Sequence, residues 1–492
     1  MINLYRVLTN LKEEERFMRK IVLILGSLIF IFGCDPGIGS DETPIPILST
    51  FDQDKGLIIL PNDLLKNPET KRLMLPKTST DSDLTKEIKS FMNMLDGWLV
   101  SQTITIPFEY ELDKSTVKPE NVLLFDIDIA GKSVTRKTAA EYYALYNFSM
   151  SPSDKPPYFI TVKNKPDEGS GGMPADFIQG HYYLVAVTNS VKTSEGKDIT
   201  ENPVYYFLKK KSSLIDGAKK SVTILSDEEA LMLEPARALF NQLFEMVEKV
   251  ESGIRDKIVA FSFFSIQSGS RALFNPASVG QILPQPIDLK GPANAPVDVK
   301  PYIYYDLPLD ETTLSKGVKM MKLAGGQLVS VEISKVEVVE ENSKYKLQVT
   351  PKNPLDKGSQ YLVFTTNDIK SKSGVETAAY STFSILRAKN SFITNTGTAE
   401  NPVYVLNSPL IDSTLDVLIL ASKLGMLSDS ANKNIAAATA DDWKVAYDLL
   451  ISNLIHLEGL RQAYAPIFTG IEAAKIDRKD ITALWVFTTV SE

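Results

Sequence analysis

Over most of the chain, apolar and polar residues alternate in short runs bounded by turn residues, which is the period of half-buried β-strands. Two longer stretches instead place apolar residues at i, i+3, i+4 and i+7, the period of one helix face. Both patterns occur twice, in the same order. Ile104 to Val117 reads ITIPFEYELDKSTV, and Pro301 to Leu314 reads PYIYYDLPLDETTL, so that Leu112-Asp113 falls on Leu309-Asp310. Gly180 to Gly196 matches Gly358 to Gly374 without a gap, sharing the two end glycines, Tyr-Leu-Val and Thr-Asn. Each of these segments predicts a strand (Tyr183 to Val187; Tyr361 to Thr365) leading into a turn closed by a glycine. Leu233 to Glu248 then matches Leu457 to Glu472, with Phe240, Leu243, Phe244 and Val247 falling on Tyr464, Ile467, Phe468 and Ile471. A predicted strand follows each helix, Ile258 to Ile266 and Ile481 to Val490. Ser226 with Glu229, and Thr439 with Asp442, are N-terminal helix signals.

Three matches in one order point to an internal duplication. The expectation is a mainly β chain with helical insertions: two tandem Ig-like β-sandwich units, each with a helix before its last strand. The first unit spans 51–268, residues 269–300 form a Pro-containing linker, and the second unit spans 301–492. Gly169 to Gly172 falls in a long flexible loop.

The front of the chain has a different pattern. Met18-Arg19-Lys20 is basic, Ile21 to Phe32 is apolar apart from Gly26 and Ser27, Gly33-Cys34 follows, and Asp35 to Glu42 is polar. This is the layout of a secretory signal, and its apolar run is too short to span a ~30 Å hydrocarbon core. Residues 1–17, with Glu13-Glu14-Glu15, do not fit a signal, so the expected start is Met18. Ile31-Phe32-Gly33-Cys34 resembles a bacterial lipobox, with Phe32 bulkier than the small residue usual there. The resemblance implies removal of residues 1–33, acylation of Cys34, and a lipidated tether over 34–50. Two or three acyl chains give stable attachment at ~0.8 kcal/mol per buried CH₂.

Composition narrows the chemistry. The 492 residues carry a net charge of −8, one cysteine and two histidines. Removing residues 1–33 takes away five basic and three acidic side chains, which moves the charge to −10. That argues against a nucleic-acid partner. A single cysteine leaves no disulfide framework and no thiolate-rich zinc site. No nucleophile elbow, Walker loop, dinucleotide fingerprint or H-E-x-x-H is present. The reading is therefore of no catalytic, cofactor-binding or metal residues, no cofactor, and a single modified residue, Cys34.

The remaining chemistry-bearing residues read as structural. His181, whose counterpart is Ser359, stands at a strand entrance, and His456 lies in a helical stretch; both read as solvated or capped. Asp126 and Asp128 share one strand face and could offer oxygen to Ca²⁺, but read as solvent-facing carboxylates. Asp441 and Asp442 suit a helix N-terminus. Lys209-Lys210-Lys211 reads as a solvated loop or edge-strand guard. Tyr142-Tyr143, Tyr205-Tyr206 and Tyr304-Tyr305, placed in strands, would each put one ring in the core and one outside.

Several blocks carry a family resemblance. Phe51-Asp52 with Leu60-Pro61-Asn62-Asp63-Leu64-Leu65, Leu95-Asp96-Gly97-Trp98 with Thr103 to Phe108, Leu460 to Phe468, and Trp485 to Thr489 resemble the N-terminal region of bacterial virulence-factor lipases. The resemblance covers most of 48–492. In that family the repeats precede an α/β-hydrolase domain on a surface lipoprotein, and here the repeats are expected without the lipase domain. The expected function is that of a cell-envelope lipoprotein on the outer membrane surface. Its partners would be the membrane, through the lipid anchor, and an unidentified protein or surface ligand. Its role would be binding, adhesion or structure. The alternatives are an accessory or degenerate relative of a surface lipase, and a periplasm-facing scaffold.

Overall fold

The computed structural model describes residues 47–52, 57–168, 171–217, 219–222, 224–273 and 294–491. The signal region, Cys34, most of the tether, Gly169-Ser170 and the middle of the expected linker lie outside the described residues. The chain divides into two compact units. Of the described residues, the first comprises those of Val100–Ile266, those up to Leu64, and Leu418–Lys444; the second comprises those of Leu65–Leu99, Gln267–Val417 and from Val445 onward.

In the first unit the strands of the two main sheets are β1 (Ile104–Phe108), β2 (Val122–Asp128), β3 (Ser133–Arg136), β4 (Tyr142–Tyr146), β5 (Tyr158–Asn164) and β6 (Tyr182–Thr188). Helices α1 (Pro203–Leu208) and α2 (Asp227–Glu248) then precede β7 (Ile258–Ser265). In the second unit β8 (Tyr302–Tyr305), β9 (Val318–Ala324), β10 (Gln327–Ser330), β11 (Ile333–Glu341), β12 (Lys344–Pro351) and β13 (Gln360–Thr366) come first. Helices α3 (Ser381–Leu386) and α4 (Ala440–Ala473) precede β14 (Ile481–Thr488).

The main sheets run β1-β5-β4 and β7-β6-β2-β3 in the first unit, and β8-β12-β11 and β14-β13-β9-β10 in the second, beside three two-stranded ribbons among the described residues. Adding seven to each first-unit strand number gives the second-unit order, so the duplication read from the sequence is a duplication of topology. The architecture is a sandwich with helical insertions, as expected. The second strand pairs with the sixth rather than the first, so the likeness to immunoglobulin domains lies in the two-sheet architecture and not in the ladder order.

Layering explains the burial pattern. In the second unit Tyr361, Val363, Trp485 and Phe487 share a core with Ile303, Tyr305, Leu347 and Val349 of the other sheet. The alternate residues Leu362, Phe364, Leu484 and Val486 pack instead with Phe383 of α3 and with Tyr464, Phe468 and Ile471 of α4. Successive strand residues face opposite sides, so β13 and β14 are buried on both faces, one against the second sheet and one against helices. The first unit repeats this on its helix side. Phe240 and Phe244 of α2 meet Phe261 and Phe263 of β7, with ring centroids 4.9–6.0 Å apart. The Tyr142 hydroxyl donates to the Val122 carbonyl at 2.9 Å, tying the two sheets together.

The unit boundaries differ from the expected tandem ones. Leu65–Leu99 belongs with the second unit. Its helix Asp83–Met92 buries Leu84 and Phe91 in a cluster with Phe392, Ile411 and Leu454. The apolar face of a ten-residue helix says that something will be buried, not which part of the chain will cover it. The ends of the expected linker are also built into the second unit, through bridges from Ala272 to Tyr305 and from Ala295 to Thr489.

Candidate functional site

Each unit carries the same buried polar clamp where the helices return to the last strand. On α2, Glu234 and Arg237 stand one turn apart and pair at 2.7 Å; on α4, Glu458 and Arg461 do the same at 2.7 Å. The arginines reach beyond the pair. Arg237 Nη1 donates to the Lys210 and Lys211 carbonyls, and Arg461 Nη1 to the Ala388 and Lys389 carbonyls. Glu234 also accepts the Leu214 amide, as Glu458 accepts that of Phe392. Burial opposes ionisation of both carboxyls, yet the hydrogen bonds from arginine and backbone outweigh it, and both lie below the usual range.

The clamp continues around the corner. Arg255 pairs with Glu248 and stacks on Phe244, and Arg478 pairs with Glu472 and stacks on Phe468. A cation at the C-terminal end of the short helix completes it. Lys209 Nζ donates to the Arg255 and Ile258 carbonyls, and Arg387 Nη1 to the Lys479 and Ile481 carbonyls. Here the units diverge. Lys209 pairs with Glu201. The position matching Glu201 is Ala379, and among the described residues no carboxylate pairs directly with Arg387. Burial pushes the Arg387 guanidinium down to about 10, with the fields of Asp480, Asp477 and Glu87 opposing the change.

A second repeated device sits at the entry to the sixth strand. The Tyr183 hydroxyl accepts the Ile178 amide at 3.0 Å, and the Tyr361 hydroxyl accepts that of Asp356 at 2.8 Å. This resembles the tyrosine corner of immunoglobulin-type sandwiches, which ties the start of that strand to the backbone before it. In the first unit the Tyr183 proton goes to Asp126 Oδ2 at 3.0 Å, and Asp126 Oδ1 lies 2.7 Å from His181 Nδ1. In the second unit Lys322 stands at the place of Asp126 and pairs with Asp356 at 2.6 Å. Both corners thus join the second strand to the sixth-strand entry through a charged side chain. Burial moves the Tyr183 phenol upward, which keeps it a donor to Asp126.

The structure therefore brings together two residues that the sequence treated separately, His181 and Asp126. It corrects the solvent-facing reading of Asp126, which is buried. Phe125 and Ile127 flank Asp126 on β2, but the pleat turns its carboxylate toward the β6 entry. Asp128 accepts the Gly131 amide in the next turn. The chemistry available to an imidazole with Nδ1 on a buried carboxylate is orientation and proton exchange at Nε2. Among the described residues no hydroxyl is bonded to Nε2. His456 is exposed on α4, in the other unit.

The Lys209-Lys210-Lys211 reading also changes. Lys209 is part of the clamp, because the chain folds α1 directly before it and turns the carbonyls of 255–258 toward the helix end. Lys210 and Lys211 lend their carbonyls to Arg237. The tyrosine pairs divide as expected: Tyr142, Tyr205 and Tyr305 are buried, while Tyr143 and Tyr304 are half-buried and Tyr206 is exposed. Tyr205-Tyr206, however, lies on α1 and not on a strand. Ser226 and Glu229 form a complete capping box. At the start of α4, burial opposes ionisation of Asp442, but hydrogen bonds from the amides and hydroxyls of Thr439 and Ser428 bring its carboxyl down to about 2.

The clamp was missed as a functional unit although its signal was present. Glu234, Arg237 and Glu248 are identical to Glu458, Arg461 and Glu472 in the aligned helices. Charged residues kept at equivalent places on buried helix faces mark paired charges, since an unpaired one is too costly to bury.

No known family pattern matches the chain, and no curated protein does. Among solved structures, the N-terminal part of the bacterial S-layer protein SbsC is 15% identical, covering 32% of this chain and 27% of that one, with a TM-score of 0.15. The S-layer protein rSbsC(31-844) is 14% identical, covering 36% and 19%, with a TM-score of 0.16. The chain thus matches at most about a quarter of the length of these proteins, and an overlap this low carries no argument about fold or function. No helix among the described residues is long and apolar enough to cross a membrane.

Proposed function

We propose that this protein is a cell-envelope lipoprotein held by acyl chains on Cys34, exposed at the outer membrane surface, and acting by binding, adhesion or structure rather than by catalysis. The observation that carries the reading is the order basic, apolar, Gly33-Cys34, polar at residues 18–42. The folded part is compatible with it. Two sandwiches stiffened by internal clamps suit a role in presentation, and the charged side chains of the clamps are engaged in holding helix to strand. Radiolabelled palmitate incorporated by the parent chain and lost in Cys34→Ser supports the anchor; equal labelling of both refutes it. Protease treatment of whole cells separates the surface location from the periplasmic one.

The resemblance to the N-terminal region of virulence-factor lipases supports a second reading, an accessory of a separate surface hydrolase. Under the main proposal the purified chain turns over no ester. Esterase activity that disappears in His181→Ala or His456→Ala overturns the non-catalytic reading.

A further inference from the structure

Helices α2 and α4 hold equivalent places over the four-stranded sheets but leave different surfaces beneath them. In the first unit α2 lies close against β2 and β3, and Ile127 near the end of β2 is 0% exposed. Its counterpart on β9, Leu323, is 42% exposed. The helices differ at the same place. In the aligned segments half-buried Met246 falls on Gly470, and just past them exposed Val250 falls on Ala474. The long Met246 side chain of the first helix is thus missing from the second.

What remains is a groove of about 500 Å³, bounded by Leu323, Leu328, Ile467, Gly470, Ala474 and Val486. Its volume is that of small-molecule sites. The β9–β10 turn, whose Gly325 and Gly326 both take positive φ (57° and 79°), lets Gly326 border the groove with no side chain. No lining residue is charged, and Gln327 and Gln360 contribute amides. A charged ligand group would find no counter-charge there, and burying one unpaired is strongly unfavourable. The amides can bond hydroxyl or ester oxygens. The first unit shows what chemistry belongs at this place, because the residue matching Gly470 is a methionine, a flexible unbranched apolar chain.

We propose that the groove between α4 and the β9–β10 hairpin binds one aliphatic chain, the acyl tail of a neutral single-chain lipid, at the place where the first unit carries Met246 and Val250. The proposal goes beyond the envelope reading and does not depend on acylation of Cys34, so a Cys34→Ser chain serves for the test and failure here leaves the anchor proposal standing. The probe is monolauroylglycerol kept below its aggregation concentration and followed by titration calorimetry. The expected result is saturable one-to-one binding that weakens about tenfold or more in Gly470→Met. A Cβ at Gly470 would stand 3.1 Å from Leu328 Cδ1, so the longer side chain must lie in the groove. Ala474→Val, at an exposed position just past the helix, should weaken binding in the same direction and decides the question should Gly470→Met fail to fold by circular dichroism. The laurate anion should bind more weakly than the glyceride. Absence of saturable binding, parent-like binding by a folded Gly470→Met and by Ala474→Val, or tighter binding of laurate would each overturn the proposal.

Discussion

Lys209 and Arg387 do the same work in the two units under different electrostatic conditions. Both carry positive charge to the carbonyls at the start of the last strand. Lys209 has Glu201 beside it, whereas Arg387 has Ala379 at the matching position and stacks on Phe91 instead. A guanidinium is planar and more weakly hydrated than an ammonium, and it tolerates burial against an aromatic face better than lysine does. The duplication has thus kept the hydrogen bonds and changed the means of stabilising the charge. The corner before the sixth strand shows the same principle: the tyrosine bond to the backbone is copied, while Asp126 with His181 in one unit gives way to Lys322 with Asp356 in the other. What is copied is whatever satisfies backbone groups in the sandwich. What varies is the identity of the charged partner.

The comparison can be broken at several points. The largest effect is expected in the first unit. Lys209→Ala strips Glu201 of its partner and takes a donor from the Arg255 and Ile258 carbonyls, the first of which keeps the Ile258 amide, and should destabilise that unit by about 3–5 kcal/mol in guanidinium unfolding. Arg387→Ala orphans carbonyls but no directly paired carboxylate, and should cost about 1–3 kcal/mol. Equal losses would show that Glu201 contributes nothing to the difference. Next comes the corner. Tyr183→Phe removes the acceptor of the Ile178 amide and a donor to buried Asp126, for about 1–3 kcal/mol. Tyr361→Phe removes the acceptor of the Asp356 amide alone and should cost about 0.5–1.5 kcal/mol. A reversed order would contradict the assignment of Asp126 to the first corner.

A third test concerns the cap of α4. The Asp442 carboxyl is held at about 2, below its ordinary 3.8, so its contribution is fully present above the ordinary value. It is lost as pH falls through the folded one. Acid titration of stability should therefore show a loss between these limits that is absent in Asp442→Asn. The same variant at neutral pH should cost about 1 kcal/mol, the scale of a lost cap. An unchanged acid limb would remove Asp442 from the account.

The architecture was legible to different degrees. Strands one, six and seven and the long helices are visible in the sequence because their periods are strong and occur twice. The alternation of the sixth and seventh strands reads as half-buried, whereas both are buried on both faces, because the period of a strand does not show that a neighbouring helix folds back over its outer side. Tyr205-Tyr206 was placed on a strand, since two adjacent aromatics read as β-rich. The Pro after Asn202 instead opens a helix, with the Asn202 side chain accepting the Val204 amide. The clamp residues are identical in the two aligned helices, but the sequence does not show the carbonyls from the α1 and α3 segments on which the clamp closes. The membership of Leu65–Leu99 and Leu418–Lys444 rests on packing between distant segments, which periodicity does not encode.

The central claim is that one clamp, built twice, holds helix to strand in each unit. Double-mutant cycles on Glu234 with Arg237 and on Glu458 with Arg461, using Glu→Gln and Arg→Met and read by equilibrium unfolding, test it most directly. Favourable coupling of about 1–3 kcal/mol in both cycles is the predicted result. Strong coupling in one unit with none in the other would mean that the second clamp is a geometric echo without the same energetic role.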